Sequence, residues 1–391
     1  MTPDSLLPWL RQIRRHLHAH PELSGQEKAT SAYIKEVLAE MGVEVLDYPG
    51  PTGVVGLIRG QGPGPTIALR ADIDALPLQE LNQTPYCSQN QGVMHACGHD
   101  GHTAMVLGAA REICRGGRLP GFRGNLKLLF QPAEESGTGA AQMVAQGVLE
   151  EPRVDMVLAC HLTPDQPLGA VRIFRDLGYA SNDRFRIKVR GQGCHGARPE
   201  EGRDPIAAAA YLVTALQTIV SRNLRPTEAG VITVGRLRAG QTYNIIPEEA
   251  ELEGTVRALT LQARELLLAR LQEMCAGLGG LFRVECRLEL AEHIPSCRNA
   301  PEVSALLFRA AAVVAGPEAV SYVPPIMGSE DFAFFTQARP GALFRLGTAV
   351  PAAGPPLALH SPRFDFDERA LSVGVEVFLA ALREAFGLPE A

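Results

Sequence analysis

No stretch of this 391-residue chain approaches the roughly 18 consecutive apolar residues of a membrane-spanning helix, so none is expected to cross a bilayer. Long runs of like charge are missing too. With a net charge of −6, neither a basic nucleic-acid face nor a polybasic membrane patch is expected. The N-terminal "MTPDSLLPWLRQIRRHLHAH" lacks the long uncharged stretch of a signal peptide. The eight cysteines follow no regular framework, which points to reduced thiols and a cytoplasmic setting. Internal repeats and low-complexity tracts are absent. What remains is 46% apolar and 20% charged, able to bury a large interior and too long for one ordinary core. Two domains are expected.

"LSGQEKATSAYIKEVLAEMGVEV" reads as a helix with marked ends: Ser24 and Glu27 have capping-box spacing, and Gly42 sits where a left-handed cap would sit. Short apolar runs then end in chemistry. "TIALRAD" ends at Asp72, "LKLLFQPAEE" at Glu134 and Glu135, and "VDMVLACH" at His161. Helices are expected between them, from Gly101 to about Arg115 and from Ala133 to about Leu149. Apolar strands alternating with helices predict an α/β domain, its mostly parallel sheet covered on both faces. Ligands in such sheets gather beyond the carboxyl ends of the strands. From "DRFRIKV" to "LFRVECRLEL" the order becomes βαββαβ, a ferredoxin-like unit inserted into the first domain. The boundaries expected are 1–180 and 292–391 for the discontinuous domain and 181–291 for the inserted lid. "GQGPGP" and "PAAGPP" read as loops.

"HACGHDGHT", residues 95–103, crowds His95, Cys97, His99, Asp100 and His102 together. A Cys-x-His pair on a loop can offer thiolate and imidazole to one divalent metal. Glu134, Glu135, His161 and His360 each lie in a loop or at a strand end. Two metals about 3.5–4 Å apart need several such ligands and a water to split. They also need a carboxylate left to take the proton. Adjacent glutamates can supply ligand and base, although a solvated helix N-terminus favours the same pair.

"LRADIDALP", "MHACGHDGHTAM", "LLFQPAEESGTGA", "CHL", "GCHGARPEEGRDPI", "YNIIPEEAELEGTVR", "MGSEDFAFF" and "LHSPRFDFDE" occur in this order. Together they resemble the amidohydrolase branch of the aminoacylase and carboxypeptidase-type dinuclear metallopeptidases, which includes hippurate hydrolases and auxin-conjugate hydrolases. The resemblance implies a zinc-peptidase-like catalytic domain and hydrolysis of N-acyl amino acids to a carboxylate and a free amino acid. It implies Cys97, His99, Glu135, His161 and His360 as ligands of two divalent ions, whether zinc, manganese, cobalt or nickel. Glu134 would be the general base. Asp74 would orient a ligand, with Asp72 two residues away as the competing choice. In the lid, His195 resembles a histidine that stabilises the tetrahedral intermediate, often from a partner subunit. Asn244 and Arg257 resemble substrate contacts, Arg257 as a clamp for the carboxylate. A homodimer or higher homo-oligomer through the lid is implied as well.

Other eye-catching residues are discounted: His16, His18 and His20 read as structural on an N-terminal helix, His293 as a surface residue at the lid exit, and Cys160 and Cys194 as neighbours of candidate histidines whose adjacency implies no shared function. Glu330 and Asp331 read as either site support or helix caps, and His95 and His102 as hydrogen-bond partners. Thr163, Pro164 and Glu200 depart from the pattern of many relatives. Two other functions compete: an amidase using Cys97 as nucleophile with His99 as base, and a non-catalytic metal- or ligand-binding protein.

Overall fold

The computed structural model describes residues 6–116, 118–349 and 358–389; the expected "PAAGPP" loop lies outside them. The chain divides into two compact units. One comprises residues 1–178, 298–324 and 331–391, the other residues 179–297 and 325–330.

The first unit is built on an eight-stranded sheet. Its strands run in the order Glu44–Leu46, Val54–Arg59, Asn125–Gln131, Thr66–Asp72, Met156–Pro167, Gly341–Ala349, Val171–Phe174, Val320–Val323. The strand Thr66–Asp72 is parallel to both neighbours, and Gly341–Ala349 continues the parallel run beside Met156–Pro167. Antiparallel pairing is left to the flanks. Alternation decides what each strand buries. Leu69, Ala71, Leu126, Leu128, Leu158 and Cys160 enter one core with the helices Leu7–Ala19, His99–Cys114, Pro301–Ala315 and Arg369–Ala385. The intervening positions are buried as well. Arg70 bonds Gln131 and Asp331, while the Lys127 ammonium donates to the carbonyls of Val148, Glu151 and Pro152. Both faces of the sheet are therefore covered, as the near-continuous apolar strands require. Among the described residues no helix is long and apolar enough to cross a membrane.

Two expectations fail here. The helix Lys28–Glu40 has no side-chain cap at its N-cap residue, Glu27. Glu22 accepts from Ala29 and Thr30 instead, which leaves Ser24 and Glu27 for other partners. Gly42 does take the left-handed conformation, with φ of 71°. The helix expected from Ala133 shrinks to Gly139–Ala145. Ala133 has φ of 55°, outside helical space, and Gly139 lies so close to the Pro132 carbonyl that a β-carbon could not be placed there.

The second unit is an antiparallel sheet in the order Gly230–Ala239, Glu249–Ala258, Ser181–Arg190, Glu285–Ile294, packed against the helices Pro205–Asn223 and Leu261–Phe282. In chain order this is βαββαβ. Asp204 caps the first helix by accepting from Ile206 and Ala207 ahead of a proline at its first position, worth about 1 kcal/mol. Residues 325–330 join this unit, although the sequence boundaries place them in the first.

Candidate metal centre

The start of the helix His99–Cys114, the strand Met156–Pro167 and loops of the first unit bring Cys97, His99, Glu134, Glu135, His161 and His360 together. Cys97 and His99 can converge because Gly98 between them is left-handed, with φ of 87°. Glu134 and Glu135 follow the positive-φ Ala133, and His360 itself has φ of 62°. Two strained non-glycine residues at one site mark a place where geometry outranks backbone comfort.

Two groups of three side chains share the Cys97 thiol: Cys97 with His99 and His161, and Cys97 with Glu135 and His360. In each group the ligand atoms lie within 4.8 Å of one another. The Cys97 sulfur is 3.7 Å from His161 Nε2, and His360 Nε2 is 3.5 Å from Glu135 Oε1. His99 Nε2 and Glu135 Oε1 are buried without a hydrogen-bond partner. Buried polar atoms are rarely left so. Two orphans that both belong to soft and borderline donor sets fit divalent cations of the zinc type.

The surrounding charge agrees. Burial would lower the His99 pKa, but Asp72 and Asp74 raise it well above the usual range. Without a cation, that cluster of carboxylates holds a proton on the ring, and a metal ion would take its place. Burial pushes the Cys97 thiol well up, and Glu135 adds to this. Burial keeps His161 well below its ordinary pKa, hence neutral and able to ligate, and its Nδ1 donates to the Leu162 carbonyl at 2.7 Å.

A third group, Asp72 with His99 and His102, also has ligand spacing. It does not fit a metal, because both nitrogens of His102 are engaged. Nδ1 donates to Asp72 Oδ1 at 2.6 Å, and Nε2 accepts from the Leu162 amide at 2.9 Å. Asp72 is therefore turned to His102 and Arg70, whereas Asp74 Oδ1 stands 3.1 Å from His99 Nδ1. The other Asp74 oxygen accepts from the Ser24 hydroxyl and the Glu135 amide. Ser24 and Glu27 do not form a capping pair. Ser24 holds Asp74, and Glu27 accepts from the amide of Ala133, just before the two glutamates. Nothing local in the sequence marks either role. Asp331 accepts from Arg70, Gln131 and the Ala140 amide beneath the sheet.

His195, Asn244 and Arg257 belong to the second unit. His195 is exposed on the two-residue strand Cys194–His195, opposite Ile245, and its Nδ1 accepts from the Ala197 amide. Asn244 is beside it in space, since its carbonyl accepts from Gly196. Arg257 is half-buried and donates to the Met327 carbonyl and the Ser329 hydroxyl at 3.2 and 3.3 Å.

Residues 68–384 match the profile of peptidase family M20/M25/M40. An N-acetyl-L-cysteine deacetylase of Bacillus subtilis is 39% identical over 359 residues, spanning 92% of this chain and 84% of that protein. A thermostable carboxypeptidase of Saccharolobus solfataricus is 38% identical over 370 residues, spanning 94% and 92%. The crystal structure of the Bacillus subtilis YXEP protein, a dinuclear metal binding peptidase from the M20 family, superposes with a TM-score of 0.85 at 33% identity. That match covers 98% of this chain and 99% of the other.

Proposed function

The chain belongs to peptidase family M20/M25/M40 and is a hydrolase, and from that premise we propose that it cleaves the amide bond of N-acyl amino acids. The products are a carboxylate and a free amino acid. One observation carries the reading: His99 Nε2 and Glu135 Oε1 are buried with no hydrogen-bond partner among the described residues, each within a group that includes Cys97.

Cys97, His99 and His161 would hold one divalent ion, and Cys97, Glu135 and His360 a second. Such a pair, when bound, polarises the scissile carbonyl and makes water acidic enough to attack near neutral pH. The chain supplies the rest. Glu134, next to Glu135 and 4.0 Å from His99 Nε2, accepts the proton of the attacking water on its carboxylate. It then returns that proton to the leaving nitrogen, so the acyl carbon gains a C–O bond, loses its C–N bond, and the amine departs neutral. Asp74 holds the His99 ring so that Nδ1 is the protonated nitrogen and Nε2 faces the site. In the second unit we assign His195 as a donor to developing oxyanion charge, Arg257 as the clamp for the substrate carboxylate, and Asn244 as a further substrate contact. The two relatives' names, a deacetylase and a carboxypeptidase, describe the same bond: an amide on the nitrogen of an amino acid whose carboxylate is free.

Nucleophilic attack by Cys97 is disfavoured, since burial and Glu135 both oppose its thiolate. The test is amine release from N-acetyl, N-benzoyl and N-indolylacetyl amino acids by chelator-stripped protein, with and without manganese, zinc, cobalt or nickel. Activity that returns only with metal supports the reading. Activity that survives stripping sinks it, and silence across the panel favours a binding protein.

A further inference from the structure

The N-terminal helix carries an arginine that the chemistry above does not use. Arg14 is 0% exposed. Its guanidinium reaches carboxylates on two separate segments of the first unit. Nε donates to Asp100 Oδ2 at 2.8 Å, Nη2 to Asp365 Oδ1 at 2.8 Å, and Nη1 to Glu368 Oε1 at 3.3 Å. Asp100 directly follows His99, while Asp365 and Glu368 lie just downstream of His360. The planar group is seated between aromatic rings, its carbon 4.4 Å from the centre of Phe366 and 4.9 Å from that of Tyr86. Tyr86 in turn donates to the second oxygen of Asp365 at 2.9 Å.

We propose that Arg14 is a positioning residue that sets His360 against the Cys97–His99 loop. This rests on the reading of Cys97, Glu135 and His360 as metal ligands. The ligands are not equally secured. His99 is held by Asp74, and His161 by its own bond to Leu162. His360 has a 54% exposed side chain and a left-handed backbone that its β-carbon opposes. Its amide donates to the Ala96 carbonyl at 2.8 Å, which ties it to the Cys97–His99 loop. A strained ligand persists only where the surroundings over-determine it. Here the surroundings are Phe364 and Phe366, both buried, and the carboxylates that Arg14 binds. Because the same guanidinium grips Asp100, it fixes the distance between both ligand-bearing segments. A lysine would keep the charge but could not fork across them.

The consequence is asymmetric. Loosening Arg14 should open the Cys97–Glu135–His360 group and spare Cys97–His99–His161. The experiment is stepwise cobalt binding to chelator-stripped protein, followed by equilibrium dialysis and visible absorption, in the unaltered chain and in Arg14→Lys and Asp365→Asn. Metal-free melting is recorded for all three. The expected result is one cobalt equivalent weakened by about tenfold or more in both variants, the other equivalent unchanged. Two outcomes overturn the role of Arg14: both equivalents binding as in the unaltered chain, or both weakening together with a lower metal-free melting temperature. Should the unaltered chain itself bind no cobalt, the ligand reading falls first and takes this inference with it.

Discussion

Asp74 stands directly behind His99. Its Oδ1 and its own carbonyl oxygen, 3.1 and 3.0 Å away, share the single Nδ1–H of that ring. The opposite nitrogen is thereby turned to the site, where it has no hydrogen-bond partner among the described residues and would become an acceptor once a metal ion displaced its proton. Replacing Asp74 with Asn keeps the shape but removes the charge, and its single oxygen cannot accept both from His99 and from Ser24 and the Glu135 amide. Metal affinity is expected to fall about 10–100-fold, with activity largely restored at saturating metal. Equilibrium dialysis against manganese or zinc checks it; unchanged affinity would remove Asp74 from this role.

Glu134 differs from its neighbour in what it is asked to do. Glu134→Gln should leave bound metal at the level of the unaltered chain while kcat falls by at least about 10²-fold, the usual scale for a lost general base. Glu135→Gln should lose metal as well as turnover. Metal analysis alongside initial rates separates the two, and equal metal loss in both would merge their roles.

The proposed ligands were legible because each is a metal-binding residue type at the end of an apolar run or in a loop beside Gly, Pro or Ser. Position along a strand carries that information within one segment. The residues that support them were not. Ser24 and Glu27 have the spacing of a capping box, yet their partners Asp74 and Ala133 are remote in sequence. Nothing local sets Arg14 apart from its neighbours Arg11 and Arg15, yet it is buried against Asp100 and Asp365. The helix expected from Ala133 shortened because one left-handed residue and one backbone approach override helix propensity. Local pattern therefore reported most of the elements and the residue types able to bind metal, while long-range pairing decided which polar residues surround them.

His102 supports the site from the first turn of the helix His99–Cys114. It joins Asp72 to the amide of Leu162, the residue after the proposed ligand His161. His102→Phe would leave a buried carboxylate oxygen and a buried N–H without partners. Because Arg70 still faces Asp72, the loss should be about 3 kcal/mol, the upper end for leaving a buried hydrogen-bonding group unpaired. Urea unfolding of the metal-free protein measures it. A loss below about 1 kcal/mol would mean that solvent or repacking satisfies both groups.

Stability should also depend on pH through His18. Its Nδ1 lies 2.8 Å from Asp100 Oδ2 and its Nε2 3.3 Å from Glu80 Oε1, with Arg14, Tyr86 and His95 also facing the ring. Burial lowers its pKa and so does Arg14, but the two carboxylates outweigh them and raise it above 6.5. A histidine raised in the folded state binds its proton more tightly there than in the unfolded chain. Its contribution is therefore complete below about pH 6.5 and is lost as pH rises through the folded value. The difference in melting temperature between the unaltered chain and His18→Gln should be largest near about pH 5.5 and shrink toward about pH 8.5. Paired melts of the metal-free proteins across that range supply the measurement. A gap that stays constant would show that His18 acts only through packing, and a gap that widens with pH would mean that the ring is neutral in the fold.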